Sequence, residues 1–536
     1  MSKDINQTDI INFCKELGCC NACSLRYAGN KNPTAYENAS EFVPKQQETT
    51  DSQNAIPADQ QATNGSVDAN TETIDNDEPA CKKPKLDVCI SCLGILQGRY
   101  WLESMEMVKD VLEKKRYACK TFACGLSSPI SALLREKAIT LRLGDKFKDY
   151  DGNCLTALKE AWKWSFASKL AEHVSMTLDS GAISPLLVTL NMEYPQDLQE
   201  LEILKTLSPA LFQSRSKQKR RFTVEFTRRS VEQALENVTH EALEAVEGKG
   251  LPAVESAAKC VSVVCVHAPG YLGGRYIKLS RELPQTPWLV NGVRMMESSV
   301  QEIIFEPIAK LYEMSPEEME HRMKFMSAGR EDVDVRCLGD GRPFAVEITD
   351  PRREPSEEEL RRICEEISKG GKVVVKSLIP VTREDLTELK KGEETKCKTY
   401  EALCIKLGHA DGDKVANGDT PIVVTEQDLH NINTYRNTPE GDEARILIKQ
   451  KTPIRVLHRR PLLTRSRRIY DLEATAVPGH PQLFRLRVRT EAGTYVKEWV
   501  HSELRRSRPA LPHALRARAD ILALDVAVVH LRWPNI

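Results

Sequence analysis

Two identical spacings, Cys20–Cys23 in "CCNAC" and Cys89–Cys92 in "CISC", constrain the front of this chain more than any other feature. A two-residue gap lets both thiolates of a knuckle face one ion, and two knuckles complete the four-thiolate tetrahedron of a structural zinc site. Any fold that uses them must bring residue 20 beside residue 92. The intervening 65 residues exceed a usual zinc-ribbon gap, but the entropy of closing a loop grows only logarithmically with its length. Most of the gap, residues 46–87, has no aromatic residue and is rich in Gln, Asn, Asp and Thr. It cannot bury enough apolar surface to offset its ordering entropy, so it is expected to be a disordered insertion. The competing reading is two unrelated pairs of buried cysteines. Cys14, Cys19 and Cys81 lie nearby, but Cys19 has the wrong spacing to Cys23 for a knuckle.

The N-terminus has no apolar signal core, and no run of eighteen apolar residues exists to span a membrane. The 16 cysteines are therefore expected in a reducing compartment, as metal ligands, small buried groups or nucleophiles rather than disulfides. Nucleus and cytoplasm both fit. The net charge of −1 hides an asymmetry: residues 441–536 carry 19 Lys+Arg against 9 Asp+Glu. Arg459, Arg460, Arg465, Arg467 and Arg468 crowd one segment, a pattern that suits a polyanion. The bland alternative is a solvated basic surface.

The length suits two to four domains; two are read, with the boundary at 268/269. Residues 93–268 read as α/β. "ISPLLVTLNM" (183–192) is strand-like, "DLQELEILKTL" (197–207) has helical periodicity, and residues 214–230 read as a basic loop entering a strand with alternating Phe222, Val224 and Phe226. The second half reads as α+β on a largely antiparallel sheet. A capping box at Ser356–Glu359 opens a helix whose apolar face is Leu360, Ile363, Cys364 and Ile367, and "KVVVKSL" follows as a strand. In "LFRLRVRT", Phe484, Leu486 and Val488 face inward while Arg485, Arg487 and Arg489 line the other side. "GREDVDVRCLGDGRPF" (329–344) reads as a hairpin whose first strand sets Arg330, Asp332, Asp334 and Arg336 on one face. The pattern alone does not separate Asp332 from Asp334. Tyr400 could be a core tyrosine, and Lys497 could pair with Glu498 or Glu503.

No phosphate loop, dinucleotide fingerprint, H-E-x-x-H or G-x-S-x-G stands in the chain, which argues against nucleotide-dependent enzymes, zincin proteases and elbow-type hydrolases. What remains is chemistry by a carboxylate, basic residues and aromatics. At this point a resemblance appears. "GRED" (329–332) resembles the G-R-x-D signature of pseudouridine synthases, "KTYEA" (398–402) their K-x-Y motif, and "GTYVKEWVHSELRR" (493–506) their G-T-Y-[IV]-[KR] motif. Together with "LPQTPW" (283–288), "GRPFAVEI" and "LHRRPLLTRSR" (457–467), the set most resembles the archaeal–eukaryotic tRNA pseudouridine synthases that modify positions 54 and 55 of the T-arm. The resemblance covers roughly residues 270–536 plus the cysteine pairs.

It implies a pseudouridine synthase catalytic domain preceded by a zinc-binding, THUMP-containing α/β accessory domain. It implies isomerisation of uridine in tRNA with no catalytic cofactor and no nucleotide cofactor, zinc being structural only. Carried over by motif position, Asp332 is the nucleophile, Lys497 its ion-pair partner, and Tyr400 the residue that stacks on the base. Asp334 is then expected to pair with Arg336 or Arg342. Arg330, Arg459, Arg460, Arg485 and Arg487 are the expected RNA contacts, with other structured RNA as a further partner. The rival reading is a catalytically inactive RNA-binding protein of the same fold acting in small-RNA processing; it would require loss of the aspartate, tyrosine or basic partner, and all three are present.

Overall fold

The computed structural model describes residues 6–44, 88–181, 183–218, 224–247, 253–395, 397–410, 413 and 419–534. The insertion expected over 46–87 lies outside the described residues. The chain divides into two compact units, Met1–Val266 and His267–Ile536. Among the described residues no helix is long and apolar enough to cross a membrane.

The first unit carries a sheet of β1 (Thr121–Ser127), β2 (Thr177–Leu178), β3 (Leu186–Glu193) and β4 (Lys259–His267), in the order β2-β1-β3-β4. β1 pairs in parallel with both β2 and β3, as expected where helices form the crossovers. Its core joins β1 and β3 to the helix Ser131–Lys146 and to the cysteine-bearing segments at 10–28 and 88–96. The strand expected across 222–226 does not form in its described part. Residues 214–217 end the helix Pro209–Lys217, and a capping box between Thr227 and Ser230 opens the helix Arg228–Leu235. The two alternating residues left, Val224 and Phe226, are too few to hold a ladder, and Phe226 instead packs its ring on Phe212, with centroids 5.2 Å apart.

The second unit is built on β5 (Gly270–Lys278), β8 (Met323–Ser327), β9 (Arg336–Ile348), β10 (Val373–Pro380), β11 (Lys398–Lys406), β12 (Ile446–Lys451), β13 (Thr464–Ala476), β14 (Leu483–Thr490), β15 (Ser507–Arg508) and β16 (Ala519–Val529). A separate ribbon pairs β6 (Leu289–Val290) with β7 (Val293–Arg294). The large sheet runs β10-β5-β9-β16-β11-β14-β13-β12-β15, with β8 also on β9. Among the described residues its one parallel pair is β9 with β16, at Asp525↔Arg336 and Val526↔Cys337; the other pairs described in this sheet are antiparallel.

Side-chain alternation splits β9 between two cores. Phe344, Val346 and Ile348 pack under the helices Val300–Leu311 and Glu357–Lys369. Ala345 faces the other core, which includes Val496, Trp499 and Val500 of the helix Val496–His501. The helix at 357–369 is capped as expected, with Ser356 Oγ accepting from the Glu359 amide and the Glu359 carboxylate from the Ser356 amide. Its four expected apolar residues are the buried ones.

The stretch 329–344 is not a hairpin. Residues 329–335 form a loop with a turn closed by Val335 N–H on Asp332 C=O at 3.1 Å, and β9 begins only at Arg336. With the turn at 332–335 and the Asp332 and Val333 carbonyls taken by Lys278 Nζ, no strand forms there on which the four charges could share a face.

Candidate active site

A cleft of about 810 Å³ opens in the second unit where the loop 329–335, β11, the turn after β12, the start of β13 and the segment 492–497 converge. The loop that carries Asp332 is held from behind. Glu331, its side chain fully buried, receives Arg342 Nε at 2.7 Å and the Tyr276 hydroxyl at 2.8 Å. Gln285, from the "LPQTPW" segment, donates to the Tyr276 hydroxyl at 2.8 Å and to the Gly329 carbonyl at 3.0 Å. Lys278 at the end of β5 is fully buried and donates to the carbonyls of Leu283, Asp332 and Val333 at 2.7, 3.1 and 2.8 Å. Burial pushes the Lys278 pKa down, opposed by Glu331 and the nearby aspartates. The first residue of the motif is glycine because its φ is +85°, a conformation that L side chains rarely adopt.

Asp332 emerges from this support with its side chain 32% exposed and turned to two cations. Arg455 Nη1 is 2.9 Å from its Oδ2, and Lys497 Nζ is 3.7 Å from the same oxygen. Lys497 is closer to Asp334, at 2.6 and 2.8 Å, and holds that carboxylate below its ordinary range against the opposing effect of burial. Two expectations change here, and one residue is added. Asp334 pairs with Lys497 rather than with Arg336 or Arg342; Arg336 is taken by Asp525 and Arg342 by Glu331. Lys497 does reach Asp332, but as its second cation. Arg455, which sequence reasoning passed over, is its first; it lies four residues before the arginine cluster that drew attention, and nothing in its spacing marks it.

Tyr400 lines the cleft from β11, and burial, reinforced by nearby Cys337, Asp332 and Glu331, pushes its phenol up to about 12. Arg330, Arg459 and Arg460 line the same cleft, together with Lys398, Arg465 and Arg467. Burial, and then the neighbouring Arg459 guanidinium, lower the Arg330 pKa. With Arg455 and Lys497, the basic groups far outnumber the two acids in the lining, Glu331 and Asp332. Such a wall attracts polyanions.

Arg485 and Arg487 stand elsewhere. Tyr400 is the register partner of Val488, so the two share a sheet face, and the arginines between the inward residues of β14 point to the other. Arg487 lies between Glu401 and Glu473 on the adjacent strands, and Arg489 covers the Tyr470 ring at 5.6 Å. The alternation was legible; which face the cleft opens on was not. Residues 411, 412 and 414–418 of the Gly-Asp-containing stretch 406–424 lie outside the described residues, but Asp413 within it pairs with buried Lys406 at 2.8 Å, as does Asp428 at 2.7 Å.

In the first unit, the ligand atoms of Cys20, Cys23, Cys89 and Cys92 lie within 4.8 Å of one another. The Cys20 and Cys92 sulphurs are 3.8 Å apart. Zinc–thiolate bonds of about 2.3 Å in a tetrahedron require about that separation. The sulphurs also accept from donors suited to thiolates: Cys20 N–H on Cys89 at 3.2 Å, Leu96 N–H on Cys92 at 3.5 Å and Arg26 Nη1 on Cys23 at 3.7 Å. These four residues fit a metal of zinc's kind; Cys19 is buried but outside the set.

An aspartate in a G-R-x-D turn, a tyrosine from K-x-Y and a lysine from G-T-Y-V-K come from distant parts of the chain yet share one cleft on a mixed sheet. That convergence places the second unit in the class of pseudouridine synthases. The comparisons then narrow the class. Residues 271–530 match the family model "Pus10, C-terminal" and residues 89–262 match "Eukaryotic Pus10, N-terminal". The chain is 32% identical to the tRNA pseudouridine synthase Pus10 of Xenopus laevis, covering 96% of both. It is 33% identical to that of Homo sapiens over 85% of this chain and 80% of the relative. The archaeal Pus10 of Thermofilum pendens matches at 32% over 49% of this chain and 53% of its own. The chain belongs to the Pus10 family.

Proposed function

We propose that this protein isomerises uridine to pseudouridine in the T-arm of tRNA, with Asp332 as the nucleophile. The observation that carries the reading is the environment of Asp332: a carboxylate reachable from the cleft, flanked by Arg455 and Lys497, on a loop fixed by buried groups. A carboxylate so placed can meet a nucleotide in the cleft while two cations balance its charge. The target base lies inside a folded arm, so the nucleotide is turned out into the cleft at a cost of a few kcal/mol. Tyr400 stacks on it, and Arg330, Arg459 and Arg460 bind flanking phosphates. Zinc on the four cysteines holds the first unit together and takes no part in the isomerisation.

The test is tritium release from a T-arm transcript labelled at uridine C5, with purified full-length protein. Release is expected without ATP, and Asp332→Asn is expected to abolish it while tRNA still binds. Full release by that variant would move the nucleophile elsewhere, with Asp334 the next carboxylate on the loop. Affinity should also fall steeply with salt if about six phosphates are neutralised; salt-independent binding would remove the arginine-lined wall from the RNA interface.

A further inference from the structure

The carboxylate of Asp332 has a nearer cation than the lysine its motif points to. Arg455 comes from the 3-10 turn Ile454–Val456 that follows β12 and brings Nη1 to 2.9 Å from Asp332 Oδ2, against 3.7 Å for Lys497. Lys497 is largely committed to Asp334. Arg455 is aimed by a second carboxylate: its Nε donates to Glu498 Oε1 at 2.6 Å, and Glu498 is only 3% exposed. A guanidinium has several donors in one rigid plane, so it can hold Glu498 with Nε while presenting Nη1 to Asp332; an ammonium at the end of a flexible stem cannot fix both. Glu498 follows Lys497 directly, so one short helix delivers both the second cation and the anchor of the first.

We infer that Arg455 is the principal positioning residue for Asp332, held in place by Glu498, and that Lys497 is the secondary cation. The inference rests on the reading of Asp332 as the nucleophile. Arg455 sets the direction of the Asp332 carboxylate and supplies its nearest positive charge. Because Glu498 also pairs with Arg455, the guanidinium is not left unpaired when Asp332 turns toward a nucleotide. Arg459 and Arg460, further along the same turn, have no such carboxylate beside them among the described residues, so position along one short segment divides the arginines between the carboxylate and RNA.

The experiment compares Arg455→Met, Arg455→Lys, Glu498→Gln and Lys497→Met in the full chain. Single-turnover isomerisation at saturating tRNA and the tRNA dissociation constant are measured separately. Arg455→Met should lose about 100-fold in rate, the scale seen when one preorganised electrostatic partner is removed, with less than about a threefold change in affinity. Arg455→Lys should recover part of that rate, Glu498→Gln should fall between it and the wild type, and Lys497→Met should lose less than Arg455→Met. A wild-type rate in Arg455→Met, with weakened binding and a shallower salt dependence, would make Arg455 an RNA contact and overturn the inference. So would a larger loss in Lys497→Met than in Arg455→Met. If Arg455→Met does not fold, a wild-type rate in Arg455→Lys overturns it equally. Asp332→Asn separates the two readings: if it retains activity, the assignment of the nucleophile fails; if it is inactive and Arg455→Met is not impaired, only the role of Arg455 fails.

Discussion

Glu331 and Asp332 are consecutive carboxylates with opposite surroundings. Glu331 is sealed behind the loop, and its oxygens are taken by Arg342 and Tyr276. Asp332 stands in front, partly wet, with cations near but not enclosing it. The first arrangement fixes a backbone; the second leaves an anion available. Burial separates an enclosed acid from an accessible one where sequence shows only two acids side by side.

Substitutions can break that contrast. The largest expected effect is on activity alone: Asp332→Asn should abolish tritium release with little change in the melting temperature, whereas a large drop in melting temperature would make Asp332 structural as well. Next comes stability. Arg342→Met leaves Glu331 as an uncompensated buried charge and should cost about 3–5 kcal/mol in denaturant unfolding. The double variant Glu331→Gln with Arg342→Met should cost less than Arg342→Met alone; equal costs would show that the two do not act as a pair. Lys497→Met should cost only about 0–1 kcal/mol, because its closest partner Asp334 is mostly exposed. A fully buried Asp–Lys pair, which the motifs suggest, would have cost several times more.

A subtler effect concerns Tyr400. Its phenol titrates at about 12 in the folded protein, above roughly 10 in an unfolded chain. The stability that this group contributes is complete below pH 10 and is lost as pH rises from there through 12. Tyr400→Phe should therefore flatten the alkaline fall in melting temperature over that window, and an unchanged slope would put the phenol in water. The smallest effect is expected for Arg487→Ala. On the far face between Glu401 and Glu473, it should shift stability by less than about 1 kcal/mol and tRNA affinity less than Arg459→Ala does; the reverse order would bring the far face into the RNA interface.

Much of this was legible before any coordinates. Repeated spacing brought the cysteines together, and the capping box located the helix at 357–369. Motif order picked Asp332, Tyr400 and Lys497, which the fold gathers at one cleft. What escaped was contact that no local pattern encodes. Arg455 is one arginine among many, and only the turn after β12 aims it. Glu331 drew no reading in the sequence, because the partner that anchors it behind the loop, Arg342, stands eleven residues on. Arg485 and Arg487 were rightly read as sharing a face; period-two alternation cannot say which face meets the substrate.

The buried ammonium of Lys278 has one more consequence. By gripping three carbonyls, two of them on the turn at Asp332 and Val333, it removes most of the conformational search that this segment would otherwise make. An incoming tRNA therefore meets an Asp332 carboxylate already in place. The free energy of the encounter need not be spent on ordering the loop.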